Sequence, residues 1–339
     1  GEKVWVNNLE AIKPGDDDYF DILKMETDGI TSKANLDLTG NLFDGYQETI
    51  NFFTSNGYTL NKDFFVFPYD WRKDISSTAS LLDEKINSIK QQTGSTKVDI
   101  VAHSMGGLVA RNYISDATKA QNVRKLLNLG TPHLGAVKSL KALQYGDCLF
   151  LEYGPFCLTI APSEVKDVIQ NMISGYELAP SQKYFDFYTG DDNYHPYPFG
   201  DIRDIDNDGV TGKLNYSQIK ILLTNLQFNT IFFNPSEIFH NLDDKLNTTN
   251  GVEVTNIAGS GLKTLGQIIE KYSTNFFGKK VIKKDEFTIN GDQTVPLFSA
   301  SLIDTARNKS LLGDAKVFYT KQEHGKLVTN GSALNLVKN

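Results

Sequence analysis

The sequence predicts an α/β fold, with a mostly parallel sheet, helices on both faces and an inserted cap/lid region. Three observations carry this. Strand-like apolar runs alternate with helical patterns as far as Leu129. A serine stands where one such strand turns into a helix. The alternation then stops between about residues 134 and 250 and resumes afterwards. The chain has 339 residues, 40% hydrophobic and 22% charged, which is enough apolar matter for a full core.

The elements follow in order. Tyr46, Ile50 and Phe53 recur at helical spacing, Asp63-Phe-Phe-Val-Phe67 reads as a strand, and Leu82, Ile86 and Ile89 mark the next helix. Val98, Ile100, Val101 and Ala102 form a nearly continuous apolar run, the pattern of a parallel strand buried on both faces. Leu108, Val109, Tyr113 and Ile114 give a helix, Val123–Leu129 a further strand, and Val252–Ala258 and Ala315–Thr320 two later ones. The intervening segment is rich in Tyr, Phe, Asn and Asp and carries six prolines: Pro155, Pro162, Pro180, Pro196, Pro198 and Pro235. The predicted organisation is a core from residues 1–133, a cap from 134–250, and the rest of the core from 251–339. Most cap aromatics are expected to form the cap's own core, a minority lining an apolar trough.

Residues 97–107, Lys-Val-Asp-Ile-Val-Ala-His-Ser-Met-Gly-Gly, place Ser104 at the apex of a strand–turn–helix, a nucleophile elbow of the α/β-hydrolase fold. The tight turn needs small neighbours, supplied by Gly106 and by Ala102, where the usual motif has Gly. A serine nucleophile needs a base, a carboxylate to orient it and an oxyanion hole. Asp292, in Gly291-Asp-Gln-Thr-Val-Pro296, and His324, before Gly325, follow Ser104 in the chain order this fold uses. Met105, next after the nucleophile, supplies one oxyanion N–H. This chemistry requires no cofactor.

Four stretches, Phe67-Pro-Tyr-Asp-Trp-Arg72, Ala102-His-Ser-Met-Gly-Gly107, Leu129-Gly-Thr-Pro-His-Leu-Gly135 and Gly291-Asp-Gln-Thr-Val-Pro296, together with His324, resemble the lecithin:cholesterol acyltransferase-like branch of the α/β-hydrolases. That branch includes lysosomal phospholipase A2-like and bacterial lipase-like members. By motif the resemblance covers roughly residues 40–135 and 285–330. It implies a serine-dependent lipid ester hydrolase (lipase, phospholipase or esterase) working through an acyl-enzyme. An O-acyltransferase passing the acyl group to an alcohol is the alternative, and a non-catalytic lipid-binding protein on the same fold is a second. It also places Tyr69 and Trp71 near the acyl site, with Asp70 and Arg72 paired to fix their loop. Members usually begin with a buried strand ending in a Pro-Gly loop that gives the other oxyanion N–H. Here Gly1–Asn7 reads as sequence following such a loop, and Asn8–Lys13 before Pro14-Gly15 is not a buried strand. That first strand is expected to lie outside this sequence or to be replaced.

The net charge of −7 argues against nucleic acid as a partner and against electrostatic attachment to anionic membranes. No stretch approaches the roughly 18–20 apolar residues of a transmembrane helix. The expected partner is a lipid or acyl-ester substrate, with a lipid interface in reach. The chain's two cysteines, Cys148 and Cys157, sit in turn-like surroundings and read either as a disulfide closing a short loop or as two buried thiols. A disulfide implies an oxidising setting, extracellular or in the cell envelope.

Asp204-Ile-Asp-Asn-Asp-Gly209 matches the opening of a calcium loop, with Asp204, Asp206 and Asp208 as ligands and Asn215 at the twelfth position, where a bidentate Glu is usual. It reads equally as an Asp-rich surface turn. A bound calcium ion would be structural. His103 reads as packed or hydrogen-bonded rather than as a base, and His133 as structural.

Overall fold

The structure, a computed structural model, describes residues 18–34, 36, 44–147, 152–153, 156–157, 162–189, 196–201, 212–274, 276, 278–329, 331 and 334–335. Two helices, α1 (Asp44–Ser55) and α2 (Ile75–Thr93), precede strand β1 (Val98–His103). Helix α3 (Met105–Ser115) and strand β2 (Val123–Leu129) follow. After the intervening segment come β3 (Glu253–Gly259), the hairpin β4 (Leu262–Thr274) and β5 (Lys280–Gly291), and β6 (Lys316–Thr320). Local chemistry sets the limits of α2: the Asp74 side chain accepts the Ser77 N–H at its start, and Gly94, at φ 73°, closes it.

The main sheet runs β1-β2-β3-β6 and every pairing is parallel, with Ile100 opposite Leu126, Leu127 opposite Thr255 and Val317 opposite Asn256. All strand C-termini therefore share one edge, where Ser104 and the segments after β2, β3 and β6 converge. A second sheet joins the β4–β5 hairpin to Phe199–Asp201, parallel to β4, and to Gly212–Lys213.

Two expectations differ from what is seen. Asp63–Phe67 forms no ladder strand, and Phe64 makes only an isolated bridge to Leu60. The strand expected to be buried on both faces is the outer strand of the described sheet, and Val101 remains 36% exposed. The causes are linked: β1 pairs with β2 on one side only, so no described strand lies between β1 and the 63–67 segment.

Four apolar clusters form among the described residues, two of them large. One lies between the sheet and α2 and α3, built on Ile75, Leu82, Ile86, Leu108, Tyr113 and Leu126. The other gathers the helices between Val137 and His240 around Leu140, Tyr176, Tyr184, Phe185 and Phe232, and also takes in Phe20, Met25, Ile268 and Phe298. Each such buried side chain contributes about 1.5–3 kcal/mol. Trp71 packs half-buried against both cores.

Candidate active site

Because β1 ends at His103 and α3 begins at Met105, Ser104 alone makes the reversal. It does so at φ 53° and ψ −126°, a conformation that costs a non-glycine residue on the order of 1–3 kcal/mol. The strain is held by main-chain bonds. The Ser104 N–H donates to the Leu129 carbonyl at 2.9 Å, and the Gly107 N–H to the Ser104 carbonyl at 3.0 Å. Gly107 has to be glycine, since a Cβ there would lie 1.8 Å from Thr131 Oγ1 in the segment after β2. Met105 opens the helix, so its N–H has no intrahelical acceptor.

Two segments, one after β5 and one after β6, bring partners to the serine. His324 Nε2 lies 2.9 Å from Ser104 Oγ, and His324 Nδ1 lies 2.8 Å from Asp292 Oδ2. Asp292, which directly follows β5, is fully buried. Its other oxygen accepts the N–H groups of Val295 at 2.6 Å and Thr294 at 3.0 Å. Burial pushes the Asp292 carboxyl up, but the charge and hydrogen bond of His324 and the two backbone donors outweigh it and hold the pKa below its ordinary value. An ionised Asp292 requires the proton on His324 Nδ1, which leaves Nε2 free to accept from the serine hydroxyl. The sequence-predicted Ser104, Asp292 and His324 are thus one connected chain.

His324 is also fixed through its main chain. Its N–H donates to the Asp292 carbonyl at 2.9 Å, and its own carbonyl lies 3.0 Å from His103 Nε2. Burial, and then the neighbouring charge of His324, push the pKa of His103 down to about 3, so this imidazole is neutral. A carbonyl only accepts, so His103 carries its proton on Nε2, and Nδ1 takes the Tyr46 hydroxyl hydrogen at 2.8 Å. Sequence reasoning gave His103 a hydrogen-bonded role but no partners, and left Tyr46 as a helix-face residue. Nothing in the sequence links two side chains 57 positions apart. Gly130 was also missed, although it stands inside a motif already singled out. At φ 59° it backs the His–Asp pair so closely that a Cβ would come within 3.0 Å of His324 Nδ1 and 3.2 Å of Asp292 Oδ2.

The other candidates fall as follows. The Tyr69 hydroxyl lies 3.5 Å from where a Gly106 Cβ would stand, beside the serine turn. Arg72 is buried and grips Asp70 through Nε at 2.9 Å and Nη2 at 2.7 Å, while Nη1 donates to the Leu23 carbonyl at 2.9 Å. His133 is buried against Asn256 Oδ1 at 3.3 Å. Asp204, Asp206 and Asp208 lie outside the described residues. Asn215 commits its side chain to capping the helix Tyr216–Asn225, accepting the Gln218 N–H at 3.0 Å. Among the described residues no group of three or more His, Cys, Asp or Glu side chains is arranged to hold a metal ion. Cys148 lies outside the described residues, and so does the predicted disulfide. Residues 1–17, where the replaced first strand was sought, lie outside them too. No described helix is long and apolar enough to cross a membrane.

The profile of the lecithin:cholesterol acyltransferase family matches residues 5–187, more than half of the chain. The chain belongs to that family. The match runs beyond residue 135, into sequence where the motifs gave no resemblance, and stops short of Asp292 and His324. Among curated relatives of this lecithin:cholesterol acyltransferase family member is the human lysosomal phospholipase A and acyltransferase, 34% identical over 97 residues, which are 27% of this chain and 23% of that protein. The chain thus spans about a quarter of the length of the lysosomal relatives it matches. Phospholipase A(1) LCAT3 of Arabidopsis thaliana is 23% identical over 311 residues, 82% of this chain and 69% of its own. Of solved structures, a chain of the Tle4–Tli4 complex aligns over 96% of this chain and 76% of its own with a TM-score of 0.49 and 15% identity. The parallel sheet with its flanking helices and the serine turn make this an α/β-hydrolase fold.

Proposed function

We propose that this protein is a serine-dependent lipid ester hydrolase that works through an acyl-enzyme. The observation that carries the reading is the unbroken chain Ser104 Oγ, His324 Nε2, His324 Nδ1, Asp292 Oδ2, with contacts of 2.9 and 2.8 Å, on a strained turn. His324 takes the hydroxyl proton as Ser104 Oγ forms its bond to the ester carbonyl carbon, and Asp292 stabilises the imidazolium. The carbonyl oxygen becomes an oxyanion facing the Met105 N–H. The carbon–oxygen bond to the alcohol breaks, and the departing oxygen receives the proton from His324. Water then attacks the acyl-enzyme, again giving its proton to His324, and the free acid leaves as Oγ recovers the proton. Tyr69 and Trp71 contact the acyl group in this reading. Its support is that Tyr69 fronts the serine turn and that Trp71 packs where the two cores meet.

Acyl transfer is the second reading, favoured by relatives named as both phospholipase and acyltransferase. The two share every step up to the acyl-enzyme and differ in whether water or an alcohol attacks it. The experiment that tests the common part is reaction with a fluorophosphonate probe and with p-nitrophenyl esters of graded chain length. The chain is expected to label and turn over, and Ser104→Ala to lose about 10⁶-fold in turnover. Absence of labelling in the unmodified chain would turn the reading to a non-catalytic lipid-binding protein. Adding a long-chain alcohol then separates the two enzymes by whether free acid or transferred ester dominates. An extracellular or cell-envelope setting belongs to the same proposal.

A further inference from the structure

The two glycines after Ser104 face different neighbours. Gly107 faces Thr131, in the segment after β2, and Gly130 of that same segment backs the His324–Asp292 pair. Gly106 faces other atoms: a Cβ there would lie 3.5 Å from the Tyr69 hydroxyl and 4.0 Å from Ala102 Cβ. Tyr69 comes from the segment leading into α2, apart in the chain from the segments that carry the base and its carboxylate. Its neighbours along the chain hold it in place. The ring stacks on Phe67, with centroids 5.8 Å apart and planes at 27°. The next residue, Asp70, is gripped by the buried Arg72. Tyr69 is half-buried, and among the described residues its hydroxyl has no hydrogen-bond partner. A held hydroxyl with no partner, beside a nucleophile, calls for an explanation.

The chemistry at Ser104 has a use for that hydroxyl. As Oγ bonds the ester carbonyl carbon, its proton leaves toward the base, while the carbonyl oxygen turns away from the base to donors of its own. His324 stands beside Gly130, which leaves the Gly106 side of the turn for the oxygen. Met105, the residue before Gly106, offers one N–H at the start of α3, and an oxyanion accepts more than one hydrogen bond. We propose that the Tyr69 hydroxyl is the second oxyanion donor, joining the Met105 N–H on the ester carbonyl oxygen. The inference rests on the serine hydrolase reading and deepens it, since that reading leaves Tyr69 as an acyl contact only. The step is a hydrogen bond without proton transfer. The carbonyl oxygen gains charge as its π bond opens, the Tyr69 O–H donates to it, and the proton stays on the phenol. Burial, and then the neighbouring Tyr46, raise the pKa of Tyr69 above its ordinary value, which keeps that proton in place. Tyr46 does not fill the role, because its own hydroxyl hydrogen goes to His103. The departing alcohol needs no help from Tyr69 either, since His324 returns the proton to it.

The test is Tyr69→Phe, which removes the hydroxyl and keeps the ring on Phe67. Steady-state turnover is measured on a p-nitrophenyl ester and on its thionoester, in which sulfur replaces the carbonyl oxygen. For the oxygen ester, kcat is expected to fall about 10²–10³-fold, with KM within about twofold and the melting temperature unchanged. Sulfur is a weaker acceptor, so the thionoester is expected to lose far less. The preference for the oxygen ester over the thionoester should therefore shrink about tenfold or more in the variant. That ratio is internal to each sample and does not depend on how much of it is folded. A kcat within about twofold of the unmodified chain would overturn the proposal and leave a main-chain N–H outside the described residues as the second donor. A raised KM with kcat intact would overturn it in favour of an acyl contact alone. A fall in kcat with the preference unchanged would overturn it in favour of a packing role. Failure of the hydrolase reading is distinct: the unmodified chain would then neither label nor turn over, and this proposal would fall with it.

Discussion

Around Ser104 the parts are held by main chain. The serine turn hangs on the Leu129 carbonyl, His324 on the Asp292 carbonyl, and the Asp292 carboxylate on two backbone N–H groups. The seam between the helices of residues 173–245 and helices α2 and α3 is held by buried ionisable side chains. Arg111 of α3 meets Asp243 at 2.9 Å, Asp243 meets His240 at 3.1 Å, and Glu177 accepts the Ile75 N–H at the start of α2 at 3.0 Å. A main-chain scaffold keeps its donors and acceptors at any pH and survives most substitutions. A seam of buried ionisable groups depends on every partner being present and in the right ionisation state. The site is thereby built to be constant, and the seam is the part of the molecule that conditions can shift.

The largest expected effect breaks the seam alone. Asp243→Ala leaves Arg111 buried without its carboxylate, which should destabilise the fold by about 3–5 kcal/mol. The urea midpoint should fall accordingly, while turnover of a soluble ester by the folded fraction stays close to that of the unmodified chain. A midpoint that does not move would show that the seam carries little of the stability. Turnover lost in step with the midpoint would erase the contrast between seam and site.

Glu177 sharpens the contrast in the opposite direction. Burial, and then the nearby Asp74 charge, raise its pKa from 4.5 to about 9. The folded protein thus keeps its proton where the unfolded chain has lost it. Stability from this group is complete below the unfolded value and declines as pH climbs toward 9. Glu177→Gln keeps the acceptor for the Ile75 N–H and removes the ionisation. It should raise stability at pH 8 by on the order of 2–4 kcal/mol and do little at pH 4. Melting curves across this range should show a steep alkaline decline in the unmodified chain and a shallower one in the variant. Parallel curves would mean that Glu177 ionises freely.

The same contrast explains what the sequence could and could not tell. Ser104, Asp292 and His324 were legible because main-chain geometry demands particular residues at fixed places: small neighbours about the serine, a Gly-Asp turn after a strand, a histidine after the last strand. The alternation of strands and helices was legible from its period. The burial of β1 was not, because an apolar run is the same at the edge of a sheet as at its centre, and only pairing decides. The seam left no trace either. Arg111, Glu177 and Asp243 look like surface charges on helices until packing brings them together, and no local pattern records that.

The smallest expected effect tests whether side chains contribute to the constancy of the site at all. His103 reaches His324 only through the backbone carbonyl, so it positions the base without touching a reacting atom. His103→Leu keeps apolar bulk, removes the Nε2 donor and leaves the Tyr46 hydroxyl without its acceptor. A carbonyl anchor lost on one side leaves His324 still held by its N–H and by Asp292, so the expected loss is modest. We expect kcat to drop about tenfold, roughly 1.4 kcal/mol, with KM within about twofold. His103→Gln carries both a donor and an acceptor and should recover most of the loss. The split between kcat and KM separates positioning from packing. A merely structural histidine would lower the melting temperature in both variants and leave kcat of the folded enzyme where it was. If His103→Leu turns over like the unmodified chain, the main chain alone keeps His324 in register with Ser104.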